Sequence, residues 1–200
     1  MPTYYLKTPI SEEDIRRLRA GDIVYVSGIM VTARDAAHRR MLEYLKEGKP
    51  LPVDLRGGAL YHCGPVVRKK NGEWEVVAAG PTTSARMELY EATVIEKFGV
   101  RIVVGKGGMG SKTAEACKKY GAVYTIFTGG AAVLAANAIK RVIKVEWLDL
   151  GIPEALWVFE VENFGPLLVT IDSTGKNLIE EVIEGALKKR DEILAKLGVK

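Results

Sequence analysis

The chain contains no glutamine, four asparagines, two cysteines and two histidines in 200 residues. These scarcities exclude several chemistries. Cys63 and Cys117 lie far apart and outside any Cys-x-x-Cys spacing, so neither a disulfide framework nor a cysteine-rich zinc site is indicated and reduced thiols are expected. With only His38 and His62 available, the sequence assigns no Ser-His-Asp or Cys-His nucleophile arrangement. No run approaches the ~18 apolar residues that a membrane span needs. The opening "MPTYYLKTPISEEDIRR" lacks the basic-then-apolar order of a signal peptide, and a cytoplasmic protein is expected. Excess charge is scarce as well: 29 Lys and Arg against 25 Asp and Glu leave +4, too small and too scattered to argue for nucleic acid, though it favours an anionic substrate. Missing glutamine beside plentiful Glu, Lys and Arg is a compositional hint of a heat-adapted source.

What is present suffices for a packed core, since 48% of the residues are hydrophobic and no linker, repeat or low-complexity segment interrupts them. One domain over residues 1–200 is expected. Ser11 before an acidic turn and the Ile15/Leu18 pair predicts a short helix, and "IVYVSGIMVTA" then alternates as a strand. "RDAAHRRMLEYLKEG" places Ala37, Met41, Leu42 and Leu45 on one helical face, closed by Gly48. "GALYHCGPVVRK" and "EWEVVAAG" flank Asn71-Gly72, a strong hairpin signal. From Ser84 to Phe98 the pattern is helical, followed by the buried strand "VRIVVG", a glycine loop and the helix "SKTAEACKKYG". Strand "AVYTIFT", helix "AAVLAANAIKRV", strands "VIKVEWLD", "ALWVFEVEN" and "GPLLVTIDSTG", and an asparagine-capped amphipathic helix complete the chain. Hairpins mixed with crossover helices predict an α/β fold, a layered domain with a mixed sheet.

Three stretches put polar residues in loops at strand ends, where α/β folds hold their sites. They are "VTARDAAH" at 31–38, "AGPTTSARM" at 79–87 and "VGKGGMG" at 104–110. Thr82 and Thr83 fall at or before a helix N-terminus, and Arg86 follows at a distance that returns its guanidinium to that end. Such a set suits a carboxylate. Taken alone, either threonine reads first as a plain N-cap, Arg86 as a surface charge and Asp35 as a first-turn acid. Arg34 and Lys106 also sit on strand-to-helix loops, and three cations so placed suit a small dicarboxylate. The stretch "VGKGGMGSKT" is also close to a phosphate-binding loop, but Ser111 stands where the lysine should be and Lys112 comes one residue late, a rotation of about 100° off the phosphate. His62 and Cys63, on a β-run, read as a satisfied core histidine and an inert thiol, whereas His38 is placed to point back toward its loop.

Taken in order, "TARDAAH", "GPTTSARM", "VGKGGM", "GGAAVLAANAIK" and "VEWLDLGIPEALWVFEVENFGPLLVTIDSTGKNL" resemble the class I (iron–sulfur) fumarate hydratases and L-tartrate dehydratases, in the C-terminal region that many microbes make as a separate β subunit. The resemblance implies a swivelling β/β/α domain that closes over an active site shared with an α subunit, in a hetero-oligomer. It implies that the α subunit carries a [4Fe–4S] cluster whose iron acts as Lewis acid on the departing hydroxyl; this chain's two cysteines are too few for one. By motif, it implies Thr82 at the carbon that gains or loses a proton, Thr83, Arg86 and Arg34 on carboxylates, and Lys106 completing a cationic wall. One departure from the family pattern is "NFGPLL", with a glycine between Phe164 and Pro166. A fumarate hydratase β subunit is the first expectation and an L-tartrate or methylated dicarboxylate dehydratase the nearest alternative. A nucleotide-binding module built on residues 105–113 and a non-catalytic scaffold are readings of other classes.

Overall fold

A computed structural model describes residues 2–198; Met1, Val199 and Lys200 of the expected 1–200 domain lie outside it. The elements in chain order are β1 (Thr3–Lys7), α1 (Glu12–Arg17), β2 (Ile23–Thr32), α2 (Asp35–Lys46), β3 (Ala59–Tyr61), β4 (Val66–Lys70), β5 (Glu73–Ala78) and α3 (Glu88–Phe98). There follow β6 (Ile102–Gly105), α4 (Ser111–Tyr120), β7 (Val123–Ile126), α5 (Ala132–Ala138), β8 (Ile139–Glu146), β9 (Leu156–Ile171) and α6 (Leu178–Lys196). Local signals set many of the boundaries. Ser11 and Asn177 accept from the backbone N–H groups of Asp14 and Glu180 as helix caps, and Asn71 and Gly72 both take the positive φ that a two-residue hairpin turn requires.

Seven strands form one sheet in the order β1-β2-β3-β6-β7-β9-β8, and β2 also pairs with β9, so β2, β3, β6, β7 and β9 close a circuit. From β1 to β7 neighbours run parallel, while β9 is antiparallel to β2, β7 and β8. The sheet is therefore mixed, as expected. Side-chain alternation divides the interior in two. Tyr61, Ile102, Val104 and Val123 join Val24, Phe159 and Phe164 on one face of the strands, whereas Leu60, Val103 and Tyr124 meet Met41, Val94, Ile95 and Cys117 of the helices on the other. Each large apolar side chain so enclosed contributes about 1.5–3 kcal/mol. No helix of the described residues is long and apolar enough to cross a membrane.

Three expectations are corrected. "ALWVFEVEN" and "GPLLVTIDSTG" lie in one strand, because β9 absorbs its breaks as bulges: Glu162-Asn163 oppose Ser27, and Gly165-Pro166 oppose Tyr25. Asn163 has φ 49° and its N–H donates to Ser27 Oγ at 2.9 Å. A Cβ on Gly165 would lie 2.8 Å from both the Tyr25 ring and the Val24 carbonyl, so the departure at "NFGPLL" is a close crossing of β2. Second, the alanine-rich helix stops at Ala138 rather than Val142, because Ile139, Arg141 and Val142 pair with β9. Third, residues 84–87 form a 3-10 turn before α3 begins.

Candidate functional site

β2, β3 and β6 are adjacent and parallel, so their carboxyl ends, Thr32, Tyr61 and Gly105, share one edge of the sheet. Arg34 stands two residues beyond β2, and Lys106 follows β6 directly. The 79–87 loop is laid across that edge. Its Thr82 N–H donates to the His62 carbonyl at 2.7 Å, Pro81 bridges Cys63, and Thr83 pairs in parallel with Lys106. All three polar loops thus meet at the carboxyl ends of parallel strands, the end at which α/β folds hold their sites.

Each cation is held differently. Arg34 lies against Gly64, where a Cβ would come within 2.6 Å of its Nη1, and its Nε faces Glu154 Oε1 at 3.3 Å. That Nε is buried and makes no hydrogen bond, while the other Glu154 oxygen accepts from the Ala36 N–H. Arg86 does not return to the threonines as expected; its Nη2 reaches across to Asp35 Oδ2 at 2.7 Å. The reason is the 3-10 turn, whose Thr83 hydroxyl makes no cap and whose Ser84 N–H is taken by the Lys106 carbonyl. Asp35 is therefore more than a first-turn acid. Lys106 is exposed and has no ion-pair partner among the described residues, and its stem passes Gly129, where a Cβ would be 3.1 Å from Lys106 Cδ. The half-exposed Arg86–Asp35 pair contributes little stability. The effect of the two ion pairs here is to fix the direction of two guanidinium groups.

Beneath the loops runs a buried chain of hydrogen bonds that sequence reasoning missed. His38 Nδ1 meets the Arg34 carbonyl at 2.8 Å, and His38 Nε2 meets Glu91 Oε2 at 3.1 Å. The same oxygen meets His62 Nε2 at 2.9 Å; His62 Nδ1 meets Ser84 Oγ at 2.9 Å, and Ser84 Oγ accepts from the Lys106 N–H at 3.2 Å. Burial holds the His62 pKa below the ordinary histidine range against the opposing pull of Glu91. Burial also works to raise the Glu91 pKa, but the two imidazoles outweigh it and bring the carboxyl down to about 2. A signal was available: Glu91 interrupts the apolar stripe Met87, Val94, Ile95, and His38 interrupts Ala37, Met41.

The glycine loop proves not to be a phosphate cradle. Glu88 already fills the N-terminus of α4: Oε2 accepts from the Gly110 N–H at 2.7 Å and from Thr113 Oγ1 at 2.7 Å, and Oε1 accepts from the Thr113 N–H at 3.2 Å. A cleft of about 660 Å³ between the hairpin, α5 and β8 contains none of the five expected site residues among its lining groups. The motif loops are a surface, and their chemistry faces outward.

The family model for the fumarase C-terminus matches residues 3–182. The chain belongs to this family. It is 50% identical over 192 residues to the L(+)-tartrate dehydratase subunit beta of Escherichia coli, covering 96% of this chain and 94% of that protein. It is 48% identical over 185 residues to a putative fumarate hydratase class I of Geobacillus stearothermophilus, covering 92% of this chain and 35% of that protein. A putative L(+)-tartrate dehydratase subunit beta of Methanocaldococcus jannaschii is 44% identical over 191 residues, covering 95% and 98%. The resemblance carried by the five motifs is borne out.

Membership raises the question of an iron–sulfur cluster, and the residues of this chain do not fit one. A cluster takes about three or four accessible thiolates. Cys63 packs into the core on one face of the sheet and Cys117 into the core on the other, both fully buried. Burial pushes both thiols well above the ordinary cysteine range. They are inert core residues.

Proposed function

We propose that this chain is the β subunit of a dehydratase that reversibly adds water across a dicarboxylate, converting fumarate to malate, and that it supplies half of a site completed by an α subunit. The observation that carries this reading is the meeting of Arg34, Thr82, Thr83, Arg86 and Lys106 loops at one sheet edge. Lys106 offers a cation without an ion-pair partner among the described residues, and Arg34 and Arg86, oriented by Glu154 and Asp35, present further guanidinium N–H donors that suit the carboxylates of a dicarboxylate. Since this chain's thiols are unsuited to a cluster, a [4Fe–4S] group belongs to the partner. Exposed Leu89, Val133 and Leu134 lie on the helices next to the 79–87 loop, which suits a face covered in the assembly.

Within this half-site, Arg34, Thr83, Arg86 and Lys106 fix the two carboxylates and so orient the central carbons. Thr82 then stands at the carbon that exchanges a proton. A threonine hydroxyl is a weak base at neutral pH, so Thr82 acts as a relay: its hydroxyl passes its own proton to a base supplied by the α subunit as it takes the proton from the carbon, and the reverse in hydration. L-tartrate is the second reading, favoured by identities of 50% and 44% to separate beta subunits bearing that name. One added hydroxyl changes few contacts. In the anaerobic complex with its α subunit, Thr82→Val should lower turnover at least about a hundredfold with unchanged melting temperature. Undiminished turnover would leave this chain a scaffold, and the ratio of kcat/KM for fumarate and L-tartrate decides the substrate.

A further inference from the structure

The buried chain joining the loops has no task in the reaction above. It runs from the Arg34 carbonyl through His38, Glu91, His62 and Ser84 to the Lys106 N–H, so its two ends are the backbones of two proposed substrate cations. All four side chains are 0% exposed. Space for it is reserved: a Cβ on Gly105 would lie 1.7 Å from Ser84 Oγ and 3.2 Å from His62 Nδ1. A structure indifferent to the chain would not need glycine there.

The donors and acceptors can be counted. A carbonyl only accepts, so His38 Nδ1 donates to Arg34. Glu91, held as a carboxylate, only accepts, so neutral His62 donates to it from Nε2 and its Nδ1 accepts the Ser84 hydroxyl proton. His38 Nε2 faces the same Glu91 oxygen, and a proton must lie between them. Glu91 Oε1 is buried without a hydrogen-bond partner, so every contact of this carboxyl passes through Oε2. Other titratable groups stand around the chain: Asp35 of α2, Tyr90 of α3 (ring centroid 6.2 Å from that of His38), Cys117 of α4 and Tyr124 of β7. Asp35 is engaged by Arg86.

We infer that His38, Glu91, His62 and Ser84 are positioning residues: they couple the Arg34 loop to the Lys106 loop, and the His38–Glu91 pair holds one shared proton. The inference rests on the reading of Arg34 and Lys106 as substrate cations. An amide cannot replace the carboxyl. If its oxygen faces both rings, the proton on His38 is buried without a counter-charge; if its nitrogen does, it opposes the His62 N–H.

The test is Glu91→Gln in the full chain, read by nitrogen NMR of the imidazoles and by backbone amide shifts. In the wild type both ring nitrogens of His38 should show N–H character near neutral pH. In the variant one becomes a base nitrogen, and the amides of Lys106 and residues 35–36 shift together. Ser84→Ala cuts the chain at its other end and should move His62 and Lys106; it decides the matter if Glu91→Gln does not fold. In the complex, Glu91→Gln should raise KM for the dicarboxylate about tenfold or more, with a smaller change in kcat. Two neutral His38 forms in the wild type, a Lys106 amide unmoved by either variant, or stoichiometric zinc or iron bound in this cluster would overturn the inference. A complex without dehydratase activity would overturn the functional reading and leave the NMR result to stand on its own.

Discussion

Glu88 offers the cleanest separation between a phosphate loop and the arrangement described here. Its carboxylate makes three hydrogen bonds to Gly110 and Thr113 at the start of α4, and Thr113 is fully buried. Each such bond contributes about 1 kcal/mol net, and a helix cap about the same. Allowing for the partial exposure of Glu88, Glu88→Ala should cost about 2–3 kcal/mol, part of it from the Thr113 hydroxyl left without a partner. For a chain of this size, about 2–4 °C of melting temperature accompanies each kcal/mol, which gives a fall of about 5–10 °C. Glu88→Gln should fall about half as far, because its amide presents a donor where one backbone N–H needs an acceptor. Calorimetry or circular dichroism on the full chain reads both variants. An unchanged melting temperature in Glu88→Ala would refute the assignment. Wild-type protein melting higher in ATP or GTP at about millimolar concentration would also refute it, by showing the helix terminus open to phosphate.

Lys106→Ala removes a cation without a structural partner among the described residues, so kcat/KM of the complex should fall about 10–100-fold while the melting temperature stays unchanged; equal losses in both would make Lys106 structural. Arg34→Ala and Arg86→Ala should each cripple turnover and leave the fold intact, and wild-type turnover in either would remove that residue from the site. Two contributions to stability should decline on acidification. His62 is held below its ordinary 6.5, so the unfolded chain takes up a proton that the folded chain refuses, and its contribution falls as pH drops through 6.5. Glu91 is brought from 4.5 to about 2, so its contribution is present above 4.5 and is lost as pH falls toward 2. The proton held between His38 and Glu91 works against the first decline, so that contribution is read on His62 itself: nitrogen NMR should show a neutral imidazole from about pH 7.5 to about pH 5.5, and a cationic His62 there would contradict it.

Much of the fold was legible because it is written in local chemistry. The Ser11 and Asn177 caps, the Asn71-Gly72 turn and the alternation through Tyr61 or Val103 each act within a few residues. What was not legible depends on distant partners. Ile139–Val142 look helical until β9 is there to pair with them, and β9 reads as two strands because its bulges at Asn163 and Gly165 are matched only by β2. The same division runs through the site. Arg34, Thr82, Thr83, Arg86 and Lys106 were picked out by motif and loop position. The partners Glu154, Asp35, Glu88 and Glu91 come from elements distant in sequence from the groups they hold; the break in an apolar stripe marks Glu91 as buried, but local spacing names no partner for any of them.

The most direct measurement is anaerobic purification of this chain, tagged, from the cells that make it, with iron content, co-eluting protein and hydration of fumarate or dehydration of L-tartrate read on the same fractions. The half-site account requires a cysteine-bearing partner, iron and activity to elute together, with activity lost when the two chains are separated and regained when they are recombined. Elution of the chain alone and inactive, or activity from this chain without a partner, would contradict it.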